Sequence, residues 1–271
     1  MSPNFKLAAI LAILPALAAA APTPSGARRQ TEGGGFSSVQ IVNGTTAAAG
    51  EFPYIVSVIE GGRHNCGGVL LDARTILTAA HCSSNANLTA YGVRAGSLDR
   101  ESGGTVVGVS KVVSHPDWNR TLIDSDISVW HLDAPIEASS TIGYAVLPFQ
   151  GSDPEDGTLT TVAGWGRIAE GAALANELQQ VSVPVVDRAT CAAAYLKNPQ
   201  LPKIIDSMFC AGLPEGGQDS CNGDSGGPII DAASGVLIGL VSWGFGCARP
   251  EFYGVYTRVG LFVDWINENR V

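Results

Sequence analysis

The sequence predicts an all-β protein of antiparallel strands, arranged as a sandwich or barrel and finished by a C-terminal helix. Two observations predict it. Short runs rich in Val, Ile, Thr and aromatic residues recur between clusters of Gly, Pro, Asn and Asp, which is strand-and-turn patterning. The alternation of strands with long helices that marks a doubly wound sheet is missing. The 271 residues are 45% hydrophobic and only 15% charged, so the chain is globular and not disordered.

Met1 to about Ala20 reads as a secretory signal peptide. Lys6 gives the positive start, Leu7 to Leu14 the apolar stretch, and Ala16 to Ala21 the small residues of a cleavage site. The apolar run is about 15 residues, short of the roughly 18–20 that span a bilayer, so no membrane anchor is expected. Residues 21–40, rich in Pro, Gly, Ser and Thr around Arg28-Arg29, have propeptide composition. The folded domain is expected over residues 41–271.

Within it, strands are expected at Tyr54–Ile59, Gly68–Leu71, Thr105–Val113, Thr160–Gly164, Gln180–Val186 and Gly235–Trp243. Val259, Phe262, Val263 and Ile266 fall at helical spacing, with Asp264, Glu268 and Arg270 elsewhere on the wheel, so the helix lies there. A second short helix is expected around Arg188–Tyr195. Six cysteines, an even number in a chain with a secretory leader, favour three disulfides over free thiols. Spacing alone leaves fifteen pairings open. Asn-x-Thr sequons begin at Asn43, Asn87 and Asn119.

Three segments carry chemistry. Gly223-Asp224-Ser225-Gly226-Gly227-Pro228 can hold a Ser on a tight turn, hydroxyl exposed, with successive backbone N–H groups aimed at one spot. Thr78-Ala79-Ala80-His81-Cys82 sets a His beside a Cys that can pin its loop. Ser125-Asp126-Ile127-Ser128-Val129 places an acid at the start of an apolar strand, where burial is costly unless a donor such as a His ring N–H satisfies it. In the order His, Asp, Ser, the three can form a nucleophilic triad. Alternation along a strand would send Asp124 to the same side as Asp126, so residue pattern alone does not choose between them.

From Ile41 to Val271 the chain resembles the trypsin/chymotrypsin family of serine proteases, the trypsin branch most of all. The matching segments are Ile41-Val42-Asn43-Gly44, Thr78–Cys82, Asp126-Ile127, Gly164-Trp165-Gly166, Gly223–Pro228, Ser242-Trp243-Gly244 and Gly254-Val255-Tyr256, in the family's order. The resemblance implies two six-stranded antiparallel β-barrels with the active site between them. It implies that Ser225 is the nucleophile, His81 the general base and then acid, and Asp126 the residue that fixes the His81 tautomer. Asp126 is chosen over Asp124 because the family motif follows its Asp directly with an apolar residue. The N–H groups of Gly223 and Ser225 are implied as the oxyanion hole.

Asp219, six residues before Ser225, is implied at the foot of the primary pocket, where an Arg or Lys side chain satisfies it best. Ser220 adds a hydroxyl beside it. Ser242, Trp243, Gly244 and Gly254 are implied as pocket wall. The implied disulfides are Cys66–Cys82, Cys191–Cys210 and Cys221–Cys247. Ile41 implies zymogen activation: cleavage before it frees an α-amino group that pairs with Asp224. Gln40 precedes that bond, so another protease, or trimming onward from Arg28-Arg29, is expected to make the cut. A glycan on Asn43 would hinder insertion of the new terminus and is not expected. The stretch Gly96–Val107 lacks the dense acidic pattern of the animal trypsin calcium loop, so no metal or other cofactor is expected. The Ala-rich leader and Gly246–Pro250 look similar to secreted fungal members.

The chain carries a net charge of −9, which disfavours nucleic acid as a partner. Loss of Lys6, Arg28, Arg29 and Glu32 with residues 1–40 leaves −11. Four His without an HExxH pattern argue against a zinc metalloprotease. The expected partners are protein or peptide substrates, protein protease inhibitors and an activating protease, with the enzyme itself a monomer outside the cell. A non-enzymatic binding protein on this fold would usually lack one of the three triad residues, and all three are present. A chymotrypsin- or elastase-like preference is opposed by Asp219.

Overall fold

The computed structural model describes residues 41–85 and 87–271, and among these residues are thirteen strands and two α-helices. The expected signal peptide and propeptide lie outside the described residues. The strands in chain order are β1 Thr45–Thr46, β2 Ile55–Glu60, β3 Arg63–Asp72, β4 Thr75–Thr78, β5 Tyr91–Ala95, β6 Thr105–Ser114, β7 Ser128–Leu132, β8 Leu159–Gly164, β9 Gln179–Val186, β10 Met208–Ala211, β11 Pro228–Asp231, β12 Leu237–Trp243 and β13 Gly254–Arg258. Helix α1 is Arg188–Leu196 and α2 is Val263–Asn269.

β2 to β7 form one closed barrel in the order β2-β3-β4-β7-β6-β5, sealed where β5 pairs with β2. The second barrel runs β9-β10-β13-β12-β11-β8 and is sealed by pairing of β8 with β9; β1 adds to the edge of β9. All pairings are antiparallel. This is the expected architecture of two six-stranded barrels. Closure removes exposed sheet edges. Side-chain alternation fills each interior: β9, QQVSVPVV, buries Gln179, Val181, Val183 and Val185 and turns the residues between them outward.

The two barrels meet over small residues. A Cβ on Gly67 of β3 would lie 2.7 Å from the Gly227 Cα, so only glycine lets these backbones touch. Asp187 caps α1 by accepting the Thr190 N–H at 2.8 Å. α2 buries Val263 and Ile266, and Arg270 just beyond it reaches the first barrel at Asp72, 3.1 Å. Among the described residues no helix is long and apolar enough to cross a membrane.

The loop from Gly96 to Gly104, between β5 and β6, closes around a cation of the chain's own. The Arg94 guanidinium donates to the carbonyls of Glu101 (2.9 Å) and Gly103. Asp99 accepts the N–H groups of Glu101 and Ser102 at 2.8 Å each, which hold its carboxyl below the usual carboxylate range. Ser97 donates to the Ser102 carbonyl at 2.7 Å. The Arg94 guanidinium thus places a positive charge inside the loop, which disfavours a bound cation there. The melting temperature should be the same in millimolar calcium and in chelator, and Arg94→Met should lower it by about 2–6 °C, from roughly 1–2 kcal/mol of lost charge-assisted bonding. A calcium-dependent rise in melting temperature would sink this account.

Candidate active site

The site lies where the barrels meet, and each of its parts is fixed by local folding. β4 is buried along its length and leads through Ala79 into a single 3₁₀ turn of Ala80, His81 and Cys82. The Cys66–Cys82 disulfide ties that turn back to β3.

Asp126 follows an irregular stretch. Ile123 and Ser125 have φ of 52° and 54°, and the Ile127 N–H bonds back to the Ser125 carbonyl at 2.8 Å. The chain therefore turns twice before β7, and strand alternation does not apply. Asp124 and Asp126 separate, contrary to the alternation expectation. Asp124, half-buried, accepts the hydroxyls of Ser125 and Ser207 instead. Asp126, 1% exposed, accepts His81 Nδ1–H at 2.7 Å, the His81 backbone N–H at 2.9 Å and the Ser242 hydroxyl at 2.5 Å. Its own carbonyl accepts the Thr257 hydroxyl at 2.8 Å. An ionised carboxylate only accepts, so the proton of the neutral imidazole sits on Nδ1. Nε2 keeps its lone pair.

Ser225 sits on a turn clamped between the barrels. Its carbonyl accepts the Gly67 N–H at 2.8 Å, and the Gly226 N–H bonds to Val241 at 2.7 Å. Gly226 has φ of +75°, and a Cβ there would fall 2.9 Å from the Ala79 nitrogen. The Ser225 turn is thus packed against the residues that lead to His81. Gly223 has φ of +100°, a conformation that L side chains rarely adopt. Its carbonyl is held by His64 Nε2 at 2.9 Å, and His64 Nδ1 accepts from the Ser57 hydroxyl at 2.7 Å. Burial pushes the His64 pKa down, which keeps the ring neutral.

A pocket opens beside Ser225, lined by Asp219, Ser220, Ser242, Trp243, Gly244 and Gly254, among others. The Cys221–Cys247 disulfide forms part of its lining. Asp219 is 6% exposed. Its Oδ2 accepts the Ala248 N–H at 2.9 Å, while Oδ1 is buried with no hydrogen-bond partner among the described residues. Burial raises its pKa to about 7. A Cβ on Gly254 would come within 2.7 Å of that bare oxygen. The Ser220 hydroxyl lies 3.3 Å from the Tyr256 hydroxyl. The third disulfide, Cys191–Cys210, joins α1 to β10, and Tyr195 of α1 donates to the Tyr253 carbonyl behind the pocket wall at 2.6 Å.

The profile of the family described as Trypsin matches residues 41–266. The chain belongs to the trypsin family. It is a trypsin-like serine endopeptidase, a hydrolase acting on proteins or peptides. Similar relatives include Trypsin Blo t 3 of Blomia tropicalis, 41% identical over 265 residues, covering 97% of this chain and 98% of that one. The Vitellin-degrading protease of Bombyx mori is 41% identical over 234 residues, 86% of this chain and 87% of its own. Trypsin-1 of Astacus astacus is 40% identical over 243 residues, covering 85% of this chain and all of its own. These trypsin relatives are arthropod, and the expected fungal likeness is not borne out.

The trypsin-like fold joins the predicted residues in two groups. His81 pairs with Asp126; Ser225, Ser220 and Asp219 share one pocket. Ile41 is fully buried in the second barrel's core, and Val42 forms a β-bridge with Asp219. Asp224, also buried, accepts the N–H groups of Gly166 (2.7 Å) and Cys221 (2.9 Å). Thr257, Ser57 and His64 were not singled out. They act through partners up to 159 residues away, as with His64 and Gly223, and no local pattern marks such contacts.

Proposed function

We propose that this chain is a secreted serine endopeptidase that cuts after Arg or Lys, made as a precursor and switched on by cleavage before Ile41. The observation that carries the reading is the buried, half-satisfied Asp219 carboxyl in the lining of the pocket that Ser225 also lines. A substrate guanidinium or ammonium supplies the partner that Oδ1 lacks, whereas a neutral side chain leaves it bare.

In this mechanism the Ser225 hydroxyl attacks the carbonyl carbon after the Arg or Lys, and its proton passes to His81 Nε2. The tetrahedral oxyanion is held by the N–H groups of Gly223 and Ser225. Imidazolium formed on His81 is stabilised by Asp126. The C–N bond then breaks, His81 gives its proton to the leaving amine, and an acyl-enzyme remains on Ser225. Water repeats the sequence and releases the acid. His64 serves as a positioning residue, fixing the carbonyl of Gly223 and with it that residue's orientation.

The direct test uses protein beginning at Ile41 and amide reporters carrying Arg, Lys, Phe or Ala before the scissile bond, with Ser225→Ala as blank. Hydrolysis of the Arg and Lys reporters alone is expected. Hydrolysis of the Phe or Ala reporters would discard the pocket assignment, and no hydrolysis by folded protein would discard the enzyme reading.

Activation has its own signature. Asp224 is fully buried, and burial raises its pKa to about 7, well above the ordinary carboxylate value. The folded state therefore holds a proton that the unfolded state gives up near pH 4, so stability from this group falls as pH rises from about 4 through 7. Asp219 acts with the same sign. The precursor should lose melting temperature between pH 5 and 8. Cleavage before Ile41 supplies an α-ammonium for Asp224 and should flatten that slope. Equal slopes before and after cleavage would overturn the pairing. Because Gln40 is not a residue this pocket accepts, purified precursor should not convert itself at that bond.

A further inference from the structure

Asn43 differs from the other two sequons, Asn87 and Asn119, whose side-chain oxygens accept from their own turns. Asn43, Asn87 and Asn119 are all exposed. Asn43, however, spends its amide nitrogen on the fold: Nδ2 donates to the Gly217 carbonyl at 2.7 Å, next to the Val42–Asp219 bridge. A sugar on that nitrogen would wedge between two segments that must lie together.

Asn119 is arranged the opposite way. Its side chain faces the N–H groups of Thr121 (3.0 Å) and Leu122 (3.1 Å). Both are donors, so the atom between them must be Oδ1, and Nδ2 is the atom turned away from the turn. Asn119, Arg120 and Thr121 are all exposed.

The position of this turn gives the modification a consequence. Asn119 and Asp124 exchange both backbone hydrogen bonds, 3.0 and 3.2 Å, and set residues 120–123 as a hairpin tip. Asp124 lies two residues before Asp126. Ile123 packs onto the cluster of Tyr195 and Tyr253 that Trp243 also joins, and Trp243 lines the pocket holding Asp219 and Ser225. The tip is therefore rooted in the same cluster that backs the pocket wall at Trp243, and it leads within two residues into Asp126. Leu122 projects from it 54% exposed, apolar surface that a bound sugar would cover.

We propose that Asn119 carries an N-linked glycan, and that this glycan screens folded proteins from the cleft while small peptides pass. Asn119 Nδ2 forms a bond to C1 of an oligosaccharide and gives up one proton. The bond from C1 to a lipid pyrophosphate breaks, and the lipid pyrophosphate leaves. The screening rests on the endopeptidase reading above; the modification rests only on passage through a secretory route.

The test expresses the full chain in a eukaryotic secretory host and converts it to protein beginning at Ile41. Glycosidase release in heavy-oxygen water, which turns a modified Asn into labelled Asp, is followed by peptide mass spectrometry. Label is expected at Asn119 and not at Asn43. Asn119→Gln should leave kcat/KM on a small Arg amide within about twofold while raising association with a folded protein inhibitor about three- to tenfold, within the span that changes at one interface produce. An unlabelled Asn119 overturns the proposal. So does equal association with and without the glycan, or an equal rise in Asn87→Gln. If no form hydrolyses the small amide, the endopeptidase reading has failed, and the mass label still reports on the glycan.

Discussion

His81→Ala, in protein beginning at Ile41, is expected to lower kcat on an Arg amide by about 10⁶, with Ser225→Ala costing about as much and the double variant no more. The effects do not multiply because the two groups perform one step: without the base the hydroxyl is not activated, and without the hydroxyl the base has nothing to deprotonate. Asp126→Asn should cost about 10⁴, and the geometry says why. Oδ1 accepts the His81 backbone N–H, and Oδ2 accepts both the His81 ring and the Ser242 hydroxyl. A carboxamide keeps only one acceptor, so its NH₂ must face one of these donors. Facing the ring, it forces the His81 proton from Nδ1 to Nε2, where a proton acceptor is required. Single-turnover rates for the four proteins, with melting temperatures to confirm folding, decide the matter. Losses that multiply in the double variant, or Ser225→Ala retaining more than a trace of activity, would end the triad reading.

The longer strands were legible because their residues alternate, as in β9, or run apolar between turn residues, as in β2 and β12. Strands β4, β10 and β13 were not among the runs singled out. They are four or five residues long and almost wholly buried, so TILT, MFCA and GVYTR show no alternation to read. The three catalytic candidates were legible as short motifs, since a Ser between glycines and a His beside a Cys are unusual in themselves. The chain path at Asp126 was not. Two non-glycine residues with positive φ turn the backbone there, and nothing in Ile123 or Ser125 announces it. Alternation would have left Asp124 and Asp126 side by side; the family motif separated them, and the turn supplies the physical reason. His64 was invisible for a different cause: its meaning lies in the Ser57 hydroxyl on one nitrogen and the Gly223 carbonyl on the other, a pairing made only by closing one barrel against the next.

Asp219→Ser should lower kcat/KM on Arg and Lys amides by about 10²–10⁴ and leave Phe and Ala amides nearly unchanged, because a buried charge stripped of its partner costs about 3–5 kcal/mol. In the free enzyme the carboxyl is expensive to ionise, which is what its pKa of about 7 expresses. On the proposed specificity, a bound cation would reverse this by supplying the missing charge beside Oδ1, which would link binding of Arg or Lys to ionisation of Asp219. KM for an Arg amide should therefore climb as pH falls below about 7, with no such limb for an Ala amide or for the Asp219→Ser enzyme. Gly254→Ala reaches the same oxygen from the wall: its methyl would stand 2.7 Å from Oδ1 and 2.8 Å from the Tyr256 hydroxyl, both buried, so Asp219 must move. That variant should lose Arg and Lys cleavage while Ser225 keeps its reactivity toward a small acylating reagent. An Asp219→Ser enzyme that still prefers Arg would show that the selectivity resides elsewhere, and Gly254→Ala would then have no reason to share its defect.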